Sequence, residues 1–173
     1  LPPTIGGFAQ VGQFPVHESM VSVLRERGYG TSFFTGTDGG FDGVEAFMTA
    51  QGIDRFVDET DFPPSYPKAP PGVGGFSWGY SDADLFKRWN ELTPDDTAPR
   101  LDVLLTISSH EPFIPPDSAA YRARFERHLA SLPLDPAQRA DYRTHAKVYA
   151  TLLYVDDAIA GLFRPLATRR DYA

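Results

Sequence analysis

The residues best suited to chemistry in this sequence fall in two short polar segments. One is Ser108-Ser109-His110-Glu111-Pro112-Phe113, which follows directly on the apolar run Leu101 to Ile107. An imidazole at a strand end can donate to a phosphate or sulfate oxygen, or move a proton near neutral pH. The same ring could instead cap a turn. The other segment is Thr35-Gly36-Thr37-Asp38-Gly39-Gly40, followed by Phe41-Asp42-Gly43. Its amides and the Thr37 hydroxyl can face an anion, with Thr35 to Thr37 lining a pocket and Asp38 or Asp42 binding a ligand hydroxyl. The plainer reading is a tight turn leading into a helix, with Asp42 favoured near the helix start by the macrodipole. A phosphate-cradling loop would end in Gly-Lys-Ser/Thr, which is absent. A calcium loop starting at Asp38 is broken at Gly40 and Thr49, and the spacing of a dinucleotide fingerprint is not matched. The aromatic residues Phe76, Trp78 and Tyr80 either line a pocket rim or pin the proline-rich segment before them.

Other candidates read as structural. His17, His128 and His145 sit within helical patterns, where a solvated surface position is the expectation. Tyr154, Asp156 and Asp157 resemble a metal cluster only superficially, because no histidine is spaced to join them. The basic stretch Tyr121-Arg122-Ala123-Arg124-Phe125-Glu126-Arg127-His128 is interrupted by acid and reads as a solvated helix face. With a net charge of -7, nucleic acid is not expected as a partner. The absence of cysteine excludes disulfides, thiolate zinc sites and cysteine nucleophiles.

The elements that would carry these loops alternate between helix and strand, the pattern of an α/β sheet. Pro15 to Arg27 places Met20, Val21, Val23 and Leu24 on one side and stops at Gly28. Tyr29 to Phe34 reads as a strand, Phe41 to Ala50 as a helix ending near Gly52, and Ile53 to Val57 as a weaker strand. From Asp61 to Phe76 proline and glycine erase any period, and a loop of that length is functional or disordered. Ser81-Asp82-Ala83-Asp84 has the form of a capping box, with the Asp84 carboxylate reaching back to the Ser81 amide. Leu85, Phe86, Trp89 and Leu92 give the helix that follows one apolar face, and Pro94 stops it. Leu101 to Ile107 is the clearest strand, a central parallel one covered on both faces. Pro136 to Leu166 reads as one long helix. In such sheets ligands bind outside the carboxyl ends of the strands. Asp38 and His110 should therefore share one edge.

At 173 residues and 42% hydrophobic, the chain suits one domain with a sizeable core. No apolar run reaches the roughly 18 residues of a membrane helix, and no signal peptide is recognisable. Starting at Leu1 rather than Met and ending at Ala173 without a tail, it reads as an internal segment.

Several motifs occur in a recognisable order. They are Arg27-Gly28-Tyr29, Phe33-Phe34-Thr35-Gly36-Thr37-Asp38, Phe41-Asp42-Gly43 and Gly52-Ile53-Asp54, then Trp78-Gly79-Tyr80-Ser81-Asp82, Leu105-Thr106-Ile107-Ser108-Ser109-His110-Glu111-Pro112-Phe113 and Tyr154-Val155-Asp156-Asp157. This order resembles the lipoteichoic acid synthase-like branch of the sulfatase and alkaline phosphatase superfamily. The resemblance implies an α/β domain with a largely parallel sheet flanked by helices, incomplete at both ends here. Residues 1–173 would be the central part of a single catalytic domain, with the Pro/Gly-rich loop at 61–76. It implies an extracytoplasmic enzyme, in the periplasm or at the cell surface, tethered by membrane segments elsewhere in the whole protein. Such enzymes use a threonine or serine nucleophile beside a divalent metal (Mn, Mg, Zn or Ca). They transfer phosphoglycerol or phosphoethanolamine or hydrolyse related phosphate and sulfate esters, acting on a lipid head group or an envelope glycan.

Carried over residue by residue, the resemblance puts His110 in the substrate pocket, and the expected substrate-binding set is His110, Asp38, Thr35, Thr37, Asp42 and Trp78. The family's nucleophile and metal-binding Glu fall before Leu1 and its Asp-His metal pair after Ala173. No catalytic nucleophile and no metal ligand is expected within the chain, which should be inactive alone. Lipoteichoic acid synthases proper carry His, Trp and Arg where this chain has Thr35, Asp42 and Val44. That departure points away from a glycerolphosphate polymer as product. The competing expectation is a non-catalytic anion- or glycan-binding module of the same fold.

Overall fold

The computed structural model describes residues 18–172 apart from 73, 94, 96 and 97. The first helix, α1, is Met20–Glu26, opened by Ser19, whose side chain accepts from the Ser22 amide while the Ser22 hydroxyl accepts from the Ser19 amide. The predicted start at Pro15, with His17, lies outside the described residues, as does Pro94. The chain turns at Gly28, at a positive φ of 84°, and enters β1, Gly30–Thr35. After a single 3-10 turn at Phe41–Gly43 comes α2, Val44–Ala50, and then β2, Arg55–Val57. A long irregular stretch leads to α3, Asp82–Leu92, and on to β3, Arg100–Leu105. Three helices follow: α4, Ser118–Ser131, α5, Pro136–Thr144, and α6, Ala146–Leu166.

The three strands form one parallel sheet in the order β2-β1-β3. The register pairs Phe34 with Val57 on one side and Thr35 with Leu105 on the other. Strand alternation sends adjacent phenylalanines of β1 to opposite faces. Phe33 packs with Val21 and Met48 of α1 and α2, joined by Leu101 and Val103. Phe34, only 1% exposed, packs with Leu85, Phe86 and Trp89 of α3 and with Tyr154 and Ala158 of α6. Helices thus cover both faces of a parallel sheet, the arrangement its crossover connections impose.

Three local expectations are corrected. β1 is the central strand of the described sheet, and β3 lies at its edge. The apolar run of β3 does serve two faces, since Leu101 and Val103 point to one layer and Leu104 to the other. Period alone reports faces and not lateral position. At Ser81 the hydroxyl accepts from the Asp84 amide and donates to the Asp84 carboxylate at 2.7 Å. Aspartate is one methylene shorter than the glutamate of a full capping box, and it meets the hydroxyl instead of the Ser81 amide. The predicted long C-terminal helix divides at His145, whose φ of -109° leaves the helical region. α5 buries no residue, whereas α6 buries Ala150, Thr151, Tyr154 and Ala158. The break lets α6 turn its apolar face onto α3 and α4. No helix among the described residues is long and apolar enough to cross a membrane.

Candidate functional site

Because β1 and β3 are parallel and end level at Thr35 and Leu105, their following loops leave the sheet at one edge. Asp38 and His110 therefore stand on the same carboxyl edge. The Thr35–Gly40 turn is held from below. Asp58, just past β2, accepts from the Gly39 amide at 3.0 Å, and the Glu59 amide donates to the Thr37 carbonyl at 3.1 Å. Thr35 is 1% exposed and sits behind Thr37, the two hydroxyls 3.0 Å apart. It shapes the turn, and Thr37 is the hydroxyl nearer to solvent. Asp38 is exposed, and its carboxylate accepts from the Gly40 amide at 2.8 Å. Asp42 has a positive φ of 52° and does not cap α2, which starts from Gly43 without a side-chain cap.

A second loop crosses the first. The Tyr80 amide donates to the Gly36 carbonyl at 2.8 Å, so the two backbones touch. A Cβ on Gly36 would stand 2.7 Å from the Tyr80 carbonyl oxygen, and one on Gly79 would stand 2.0 Å from that of Gly36. Glycine at both positions is what permits the crossing. Tyr80 then stacks on Phe62 in the core, with ring centroids 4.2 Å apart. Trp78 is directed the other way, to the edge.

At that edge Trp78 gathers the aromatic residues. Its ring meets Phe41 at 5.3 Å, Phe76 at 5.0 Å and His110 at 5.1 Å, each at a steep angle. Its indole N–H donates to the Glu111 carbonyl at 3.1 Å. Trp78 thus lines the cleft and ties down the loop that carries His110, rather than the proline-rich segment before it, through this bond. Phe41 and Phe76 remain 51% and 60% exposed, an open apolar surface beside the histidine. Tyr80 belongs to the core.

His110 is exposed, and its Nδ1 lies 2.8 Å from the Glu111 carbonyl. A carbonyl can only accept, which assigns a proton to Nδ1. The neutral ring therefore presents Nε2 as an acceptor, and Nε2 donates only when the ring is an imidazolium. Among the described residues lining the small cleft around His110, which include Trp78, Phe76, Ser108, Pro112 and Ile114, none is Lys or Arg.

The remaining sequence candidates are structural. Asp157 accepts from Arg124 Nη1 at 2.6 Å and from the Tyr121 hydroxyl at 3.1 Å, and Tyr154 is buried against α3. Among the described residues no three His, Cys, Asp or Glu side chains converge as metal ligands. Two residues that the motifs left without a role are Asp58, which buttresses the Gly39 turn, and Asp82, which is buried behind the His110 loop. Both are strand-end or helix-start aspartates, a type too common to single out without the fold.

A parallel α/β sheet with a cleft at its carboxyl edge defines the general class. Residues 3–172 match the sulfatase family, to which the chain belongs. The fold is similar to that of an alkaline phosphatase superfamily protein from Vibrio parahaemolyticus, at 22% identity and a TM-score of 0.55. It is also similar to the lipoteichoic acid synthase LtaP from Listeria monocytogenes, at 21% identity and a TM-score of 0.60. The chain aligns over 87% and 88% of its own length and spans 32% and 33% of those two structures. LtaP falls within the branch that the motifs resemble.

Proposed function

We propose that the whole protein is an extracytoplasmic, metal-dependent enzyme that transfers or hydrolyses a phosphate or sulfate ester, and that this segment supplies one wall of its substrate pocket. The observation that carries this reading is His110, with Nδ1 fixed on the Glu111 carbonyl and Nε2 open at the carboxyl edge. As an imidazolium, His110 donates from Nε2 to a non-bridging oxygen of the ester, a contact that strengthens as charge develops there. Trp78 packs against the ring at a steep angle and tethers the adjoining carbonyl. The wall is otherwise acidic and aromatic, with Asp38, Asp42, Phe41 and Phe76. Carboxylates accept from hydroxyls and aromatic faces pack against C–H surfaces. Such a lining suits the polyhydroxylated part of a substrate, a lipid head group or envelope glycan, better than a second anion. Thr37 completes it, with Thr35 as its support.

Family membership generally implies a divalent metal in the full enzyme, which would supply charge stabilisation at the ester. Its ligands and the nucleophile are proposed to lie outside these residues. The test is turnover of aryl phosphates and aryl sulfates by the whole protein and by the purified 173-residue chain. The whole protein should turn over one class, lose that activity to a chelator and regain it with metal, while the chain alone does nothing. Ligand binding without turnover by the whole protein would establish the non-catalytic binding module instead. Chelator-sensitive turnover by the chain alone would contradict the placement of the nucleophile.

A further inference from the structure

Behind His110 lies a buried carboxylate with no part in the chemistry above. Asp82 opens α3 and is 1% exposed. Its Oδ1 accepts two consecutive backbone amides just past β3, those of Ile107 at 3.0 Å and Ser108 at 2.9 Å. In return the Asp82 amide donates to the Ser108 hydroxyl at 3.1 Å. The next amide, of Ala83, donates to the Tyr154 phenol oxygen of α6 at 3.0 Å. Three elements distant in sequence meet at this point. Oδ2 of Asp82 is buried with no hydrogen-bond partner. Leaving one oxygen of a buried carboxylate bare carries a desolvation cost, so stability alone is a poor reason for the residue.

The loop it grips has few other anchors. Between Ile107 and Phe113 the backbone-to-backbone bonds are local, the His110 amide to the Ile107 carbonyl at 2.8 Å and the Phe113 amide to the His110 carbonyl at 3.0 Å, while the Trp78 indole ties the far side of the loop at the Glu111 carbonyl, at 3.1 Å. The local bonds shape the turn and Trp78 secures its far side, which leaves the start of the loop, where it leaves β3, to Asp82. The direction in which His110 projects is set by where the chain leaves β3, and Asp82 holds that exit. We propose that Asp82 is the positioning residue of the His110 loop, acting through the Ile107 and Ser108 amides. Its consequence for ligand binding rests on the reading of His110 given under Proposed function. The clamp itself does not.

The test uses the 173-residue chain, with the His110 ring nitrogens and the Trp78 indole followed by NMR. Trp78 and Trp89 are the two indoles to separate. Asp82→Asn keeps one oxygen for both amides and should leave the His110 and Trp78 signals in place. Asp82→Ala removes the acceptor, and Asp82→Ser, well suited to a first helical turn, is too short to span both amides. Each should shift both signals and weaken orthophosphate binding by about tenfold, the loss of one charge-assisted contact. Leu129→Ala, at a 2% exposed position in α4, should lower the melting temperature without moving either signal. Unchanged signals in whichever of the Ala and Ser variants folds, or equal movement in Leu129→Ala, would overturn the clamp. Shifted signals with unaltered orthophosphate affinity would support the clamp and remove His110 as the anion contact.

Discussion

Two aspartates at strand ends show how single residues set the frame for the site. Asp54, before β2, accepts from the Thr31 amide at 2.9 Å and the Thr31 hydroxyl at 2.8 Å, and it pairs with Arg25 Nε at 2.8 Å. The Thr31 hydroxyl, with the Thr31 amide and Arg25 beside it, holds the Asp54 carboxyl below its usual 3.8. Asp58, after β2, is opposed by burial. The Thr60 hydroxyl and amide and the Gly39 amide outweigh that effect and hold its carboxyl below 3.8 as well. Both folded values are depressed, so their stabilisation is fully present above 3.8 and is lost as pH falls through the folded values. A urea midpoint measured from about pH 5 downwards should fall through that window. In Asp54→Ala the fall should be shallower, because one depressed group is gone. An identical slope in both proteins would show that Asp54 is not a source of acid sensitivity. The sequence offered candidate site residues on either side of these aspartates, His110 and Thr37 among them. It did not show the aspartates' partners, since Thr31 and Asp54 meet only through the pairing of β1 with β2.

At the scale of elements, the alternation of helix and strand was legible because the strands carry apolar residues and several helices an apolar face with a cap or glycine stop. Ser81 marks one helix start and Gly28 ends the first helix, whereas the caps at Ser19 and Asp135 emerge only with the structure. The crossing of two loops at Gly36 and Gly79 was not legible. A glycine in sequence says that room is needed but not what fills it. Gly79 has a positive φ of 105° and a neighbouring carbonyl oxygen where a Cβ would go. Gly79→Ala should cost about 1–3 kcal/mol for the strained backbone and about 1–3 kcal/mol more for overpacking. Gly75, at φ 80° with nothing within 4 Å of its would-be Cβ, isolates the first contribution. In chemical denaturation Gly75→Ala should therefore be clearly milder than Gly79→Ala. Equal losses would mean that the crossing tolerates a side chain and does not position Trp78.

At the scale of the whole molecule, one parallel sheet with helices on both faces delivers two loops to one edge. Parallel pairing decided this, although period alone left β3 central when it lies at the edge of the described sheet. The shared edge followed all the same, because parallel strands end together whatever their lateral order. What the fold cannot supply is specificity, which is proposed to lie in His110, Trp78 and the acidic turn around Asp38. The central claim is that His110 contacts the transferring group. It is tested most directly by His110→Ala in the whole protein, with turnover and melting temperature read on the same preparation. Turnover should fall by about a hundred- to a thousandfold, the value of one preorganised donor. Folding stability should stay within about 1 kcal/mol, since the residue is exposed on a loop. Near-normal turnover with a large loss of melting temperature would make His110 a structural residue and contradict the account.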